Sequence, residues 1–167
     1  WWKVPVGRQE ILWIAIALVW CLIMFFMMPY WHIYGKQNLS NEAYQTTPAK
    51  FGAKVQAMVD QYKVGEEAGI PIVKPPAGSD IYLLGRLWQW YPILDLEKDK
   101  TYRLHLSSMD WQHGFSVQPV NINIQVVPGY EMVITMTPDS AGEYGIVCNE
   151  YCGIGHHMMV GKIYVKE

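Results

Sequence analysis

Little in this sequence serves a polyanion: it has no run of lysine or arginine and no glycine-rich phosphate loop. Its 13 basic and 15 acidic residues leave a net charge of −2, which argues against a nucleic-acid surface. It also lacks an acid–base set for catalysis, with no Ser-His-Asp order and no paired carboxylates, and it has no internal repeat or low-complexity tract. Charged residues are sparse at 17% against 51% hydrophobic, too apolar a balance for a fully soluble protein. Cysteine occurs only three times, so each one needs an account.

The apolar excess has one address. From Ile11 to Trp31 run 21 residues without a charge, and at about 1.5 Å per residue such a helix crosses a hydrocarbon layer of roughly 30 Å. A signal peptide has a shorter apolar core and a small-residue cleavage site, whereas Pro29, Tyr30, Trp31 and His32 follow here. Those aromatics, with Trp1 and Trp2 at the other end, read as interfacial anchors of a retained single span. Lys3 and Arg8 before the span against Lys36 after it lean toward a cytoplasmic N-terminus.

After the span the chain is polar, and from Pro48 it turns periodic. Phe51, Val55, Met58, Val59 and Tyr62 share one face of an amphipathic helix, suited to a partner subunit, the membrane surface or plain structural support. GIPIVKPPAGSD, with three prolines and two glycines, breaks that helix and marks a boundary. Beyond it the period becomes two. Strands are expected over Ile81–Leu87, Tyr102–Leu106, Asn121–Val127, Met132–Thr137, Tyr144–Val147 and Lys162–Val165, punctuated by turn signals at Asp99-Lys100, Pro128-Gly129 and Pro138-Asp139. This is an all-β sandwich or barrel. The expected organisation is a tail at residues 1–10, a transmembrane helix at 11–32, a linker with its helix at 33–79, and a β-domain at 80–167.

The chemistry sits near the C-terminus, in CNEYCGIGHHMM. Cys148, Cys152, His156 and Met159 stand close enough to converge, and soft thiolate, imidazole and thioether donors suit copper. His113, in DWQHGF, is a further donor from a separate loop. A Cys148–Cys152 disulfide needs no His156 or Met159 nearby, and structural zinc sites rarely recruit methionine. A mononuclear blue-copper site is complete with His113, Cys152, His156 and Met159, which leaves Cys148 unexplained. Two thiolates can instead bridge two metal ions. Cys21, inside the apolar span, reads as a small hydrophobe.

This pattern resembles the CuA domain of cytochrome c oxidase subunit II. That family's loop reads C-x-E-x-C-G-x-x-H-x-x-M, matched by Cys148, Glu150, Cys152, Gly153, His156 and Met159, with His113 in the upstream D-x-x-H position after Asp110. The resemblance implies a cupredoxin Greek-key fold and a binuclear CuA centre of two copper ions. His113 and Met159 would hold one ion, His156 and the backbone carbonyl of Glu150 the other, with both cysteines shared. His157, one residue out of register, is expected at the rim. Phe115, Ile154 and Met158 are expected to form an apolar shell that keeps water out.

The resemblance further implies an electron-transfer subunit of an oxidoreductase complex, with no substrate-reducing site of its own. Electrons would come from cytochrome c or a small copper protein and pass to haem in a haem-copper catalytic subunit I. The copper domain would face the extracytoplasmic side of the cell membrane. Trp88, Trp90 and Tyr91, whose Gln89-Trp90-Tyr91 matches the family's Q-W-Y, are candidates for the aromatic patch at which electrons arrive, against ordinary aromatics packing a barrel edge. A CuA-bearing subunit of a nitric oxide reductase and a copper-delivery protein are the alternatives. The single span resembles the B-family form, although the insertion from about Pro48 to Pro76 is longer than that form implies.

Overall fold

The computed structural model describes residues 3–35, 42–120 and 122–167. Trp1, Trp2, Lys36 and Asn121, used in the sequence reading, lie outside the described residues. The chain divides into two compact units, Trp1–Asn38 and Leu39–Glu167.

The first unit contains one helix, α1 (Arg8–Tyr34), which starts three residues earlier and ends two later than the expected span. Its N-terminus is closed by Glu10, whose carboxylate accepts the Gly7 N–H at 2.7 Å, a favourable place for an acid on the helix dipole. Pro29 lies inside the last turns without ending the helix. None of its residues is buried, so its apolar surface is available to lipid, and its length and composition suffice to cross a membrane.

The second unit carries twelve strands, one helix and a 3-10 turn among its described residues. In chain order they are β1 (Glu42–Gln45), α2 (Pro48–Tyr62), β2 (Lys63–Glu67), β3 (Ile70–Val73), β4 (Asp80–Arg86), β5 (Gln89–Tyr91), β6 (Ile93–Glu97), β7 (Tyr102–Ser108), β8 (His113–Gln118), β9 (Ile122–Val126), β10 (Tyr130–Met136), β11 (Gly142–Cys148), the 3-10 turn His156–Met158 and β12 (Val160–Lys166). They form two sheets, ordered β1-β10-β7-β4-β5 and β2-β3-β6-β12-β11-β8-β9. Neighbours pair antiparallel except β4 with β7, β6 with β12 and β3 with β6. All six expected strands are present, and among the described residues their ends lie within two residues of those expected.

Alternation fills the space between the sheets. Ile81, Leu83, Leu104 and Leu106 from one sheet and Leu94, Leu96, Phe115, Ile146 and Ile163 from the other belong to a single buried cluster. Residues of opposite parity on β4 and β7, Tyr82 and His105, lie on the other face, where Tyr82 meets Phe51 of α2 with ring centroids 5.9 Å apart. The expected face of α2 is thus covered by a sheet of this same chain: Phe51, Val55, Met58 and Val59 are all buried. Thr47 caps the helix by accepting the Lys50 N–H at 3.3 Å, with Pro48 at its first position. Lys54 adds a tether, reaching Glu131 on β10 at 2.8 Å while His105 Nδ1 contacts the same carboxylate at 2.6 Å.

The segment read as a linker does more than connect. β1 forms an edge of the first sheet against β10, and β3 pairs with β6 in the second. Each is only four residues long, and β3 carries a proline, which hid them from a period-two reading.

Because Phe51 is fully buried between α2 and the sheet, Phe51→Ala is expected to cost about 3–5 kcal/mol. Denaturant titration of the chain in detergent checks this, and a loss below about 1 kcal/mol contradicts the packing of α2 described here.

Candidate metal centre

Strand register, more than proximity in sequence, assembles the site. Cys148 is the last residue of β11 and Met159 directly precedes β12; the two strands pair as far as Val147 opposite Val160, and the Cys148 N–H donates to the Met159 carbonyl at 3.1 Å. On its other side β11 pairs with β8, placing Cys148 opposite Phe115 and bringing His113, the first residue of β8, to the same end of the sheet. Gly114 makes this approach possible: a Cβ there would lie 2.0 Å from Asn149 Oδ1 and 2.8 Å from the Glu150 nitrogen.

The donor atoms converge. Cys148 Sγ stands 3.8 Å from Cys152 Sγ and 3.9 Å from His113 Nδ1. Cys152 Sγ stands 3.6 Å from His156 Nδ1 and 3.8 Å from Met159 Sδ. The Glu150 carbonyl oxygen lies 3.3 Å from Cys148 Sγ. His113, Cys148 and Cys152 are buried and offer donor atoms within 4.8 Å of one another. Both cysteines are free thiols. A pair of sulfurs ringed by two imidazole nitrogens, a thioether and a carbonyl matches the preference of copper for soft and borderline donors, so the residues fit the metal that the motif implies.

Burial and the Cys148 thiol beside it push the Cys152 thiol up to about 11. Asp110 moves the other way. Burial alone would raise its carboxyl, but hydrogen bonds from His113 Nε2 at 2.8 Å, the Trp111 N–H at 2.7 Å and the Leu87 N–H at 2.8 Å hold it below the usual carboxylate range.

The aromatic candidates separate. Trp90 is 1% exposed, packed edge-on against His113 and Phe115 with centroids 6.1 and 5.5 Å away, so it backs the site and is not part of a surface patch. Tyr91 is half-buried, its ring 4.4 Å from the Arg86 guanidinium carbon. Trp88, in the turn before β5, is 37% exposed and donates its indole N–H to the Cys152 carbonyl at 3.3 Å. Its ring lies so close to the loop that a Cβ on Gly155 would meet it at 2.2 Å. The expected apolar shell is corrected as well. Phe115 is fully buried, but Ile154 and Met158 are 87% and 62% exposed, because the loop turns those side chains outward and leaves Trp90 to line the site. Tyr151, not singled out in the sequence, sets its ring 5.8 Å from that of His156. His157 is exposed.

A family model for the periplasmic domain of cytochrome c oxidase subunit II matches residues 84–166. A cytochrome c oxidase subunit 2 from Thermus thermophilus is 48% identical over 93 residues, covering 55% of this chain and 69% of that protein. The chain belongs to the cytochrome c oxidase subunit II family. As a subunit II protein it is part of an oxidoreductase complex. A second subunit 2 sequence from the same species matches equally, but there the alignment spans only 55% of that protein. A probable subunit 2 from Streptomyces coelicolor is 36% identical over 74 residues, 44% of this chain and 23% of the relative.

Solved structures agree on the fold. A chain from a heme-copper terminal oxidase dimer aligns with a TM-score of 0.60 at 23% identity, covering 95% of this chain and all of that one. A rusticyanin variant, a copper protein, gives 0.54 at 18% identity over 75% of this chain and 98% of its own. The subunit II fold is therefore the cupredoxin-like one expected, with one N-terminal apolar helix able to span a membrane. That helix and the periplasmic-domain match fit a single-pass membrane protein.

In metal-free protein the raised Cys152 thiol gives a signed expectation. Folding favours its protonated form, so its contribution to stability is complete below the ordinary value of 9.0 and is lost as pH rises to about 11. Alkylation of Cys152 is expected to accelerate over the same interval. Thermal denaturation and alkylation of the metal-free chain across that range measure both, and a rate already level at pH 9 contradicts the assignment.

Proposed function

We propose that this chain is the subunit at which electrons arrive in a terminal haem-copper oxidase, holding them at a binuclear CuA centre before passing them to haem in the catalytic subunit I. The observation that carries the reading is the pair of sulfurs 3.8 Å apart with one imidazole nitrogen near each. A mononuclear site leaves one of those thiols without a task. Bound copper supplies a one-electron couple that the side chains of this protein lack. Cys148 and Cys152 would be shared between two ions, with His113 and Met159 completing one and His156 and the Glu150 carbonyl the other.

What the protein's own residues do follows from their placement. Trp90, Phe115 and Met159, all at 1% exposure or less, keep water away and lower the local dielectric. Strands β8, β11 and β12 fix the donors, so little has to move when the charge changes. His156 is half-buried and Trp88 reaches solvent, which leaves routes for an electron to approach and depart. Leu87, Trp88, Trp111, Ile154 and Met158 are exposed apolar side chains on the turns and loop about the site. They offer a dry contact for a donor such as cytochrome c or a small copper protein. Residues 80–167 carry a net charge of −4, which would steer a basic donor at long range. With α1 in the membrane, this domain would lie on the extracytoplasmic side.

Metal analysis of the copper-loaded chain should give two coppers per chain, and the mixed-valence form should have hyperfine structure from both nuclei. Cys152→Ser is expected to abolish that signal and electron uptake, while His157→Ala leaves both intact. A single type 1 copper, bound zinc, or equal loss from the two substitutions would falsify the reading. Oxygen against nitric oxide consumption by the purified complex then separates an oxidase from a nitric oxide reductase.

A further inference from the structure

The two ligand-bearing segments are joined by a route that needs no metal. Asp110 sits in the bend between β7 and β8, its backbone N–H donating to Ser108 Oγ at 3.2 Å. Its two carboxylate oxygens face different elements. Oδ1 accepts from His113 Nε2 at 2.8 Å and from the Trp111 N–H at 2.7 Å, whereas Oδ2 accepts the Leu87 N–H at 2.8 Å. Leu87 belongs to the turn between β4 and β5 and immediately precedes Trp88, whose indole N–H reaches the Cys152 carbonyl at 3.3 Å. One half-buried carboxylate thus connects His113, through Leu87 and Trp88, to the loop that holds Cys152.

We propose that Asp110 is a positioning residue that holds the His113 imidazole and the Trp88 turn together, so that both ligand segments are set in place by the protein's own hydrogen bonds. A carboxylate facing Nε2 favours, of the two neutral tautomers, the one with its proton there and its Nδ1 lone pair toward Cys148 Sγ, 3.9 Å away. The second oxygen does separate work. It fixes the backbone of the turn, and the turn sets the height of the Trp88 ring over Gly153 and Gly155. A carboxamide cannot do both, because replacing one oxygen by NH2 leaves either the imidazole or the Leu87 N–H facing a donor. The consequence for electron transfer rests on the reading of the site given above, whereas the coupling itself does not.

The test uses the full chain in detergent, first without metal. Nitrogen-15 NMR of the wild type should place the His113 proton on Nε2, and the proton on Nδ1 would overturn the proposal outright. Asp110→Ala should redistribute that tautomer and displace the Trp88 indole cross-peak, with indole exchange about fivefold faster as one hydrogen bond's worth of order is lost, although Asp110 does not touch the indole. Trp88→Phe should leave the His113 tautomer unchanged. If the alanine variant does not fold, Asp110→Asn takes its place with its own criterion: the carboxamide can keep only one of the two partners, so a change at either reporter supports the proposal and a change at neither overturns it. For Asp110→Ala the criterion is stricter. A change at only one of the two reporters, or at neither, overturns the coupling. With copper added, Asp110→Ala should bind about 10- to 100-fold more weakly. Failure of the wild type to bind two coppers would instead refute the CuA reading and leave the metal-free result standing.

Discussion

The separation of Cys148 and Cys152 is the constraint on which the rest of the structure depends. Two thiols four residues apart would drift in a free loop. Here the first is the end of a central strand and the loop returns at Met159, hydrogen-bonded across to the Cys148 N–H. The sulfurs are therefore held near each other by the β11–β12 ladder, on the sheet face that Ile146 packs into the main core. Burial and the neighbouring thiol make Cys152 a poor acid in the absence of metal, so a cation with high affinity for sulfur is needed to displace its proton. The scaffold accordingly contributes both geometry and selectivity.

The remainder of the fold supports that end of the sandwich. β8 enters on the far side of β11 and supplies His113, and Gly114 allows the close approach. Trp90 fills the space behind the imidazole. The first sheet is stiffened from outside by α2, which covers Tyr82 and is tethered through Lys54 to Glu131. An apolar shell behind the donors and an exposed loop in front give the site one dry side and one accessible side, as the proposed relay between two proteins would require.

Much of this was legible in the sequence, for identifiable reasons. The loop that gathers the candidate donors was readable because they lie within twelve residues at a fixed spacing, and the six strands because their flanking turns use Asp, Gly and Pro. β6 and β8 were missed: LDLE and FSVQ alternate over only four residues, and their polar members Asp95 and Ser116 are themselves buried, so the alternation marks no exposed face. The helical face of α2 was evident from spacing, but its partner was not, since periodicity says which side is covered and nothing of what covers it. The roles of Trp88 and Trp90 could not be separated on a three-residue strand, where the phase of alternation is ambiguous. The link from Asp110 to Leu87 spans 23 residues of chain, and only the folded backbone reveals it.

Anomalous diffraction from copper-loaded crystals, collected across the copper edge, tests the central claim most directly. The account predicts two copper peaks, each within bonding reach of both Cys148 Sγ and Cys152 Sγ. A single copper peak bound by one of the sulfurs, or a covalent bond between the sulfurs with no metal beside them, would contradict it.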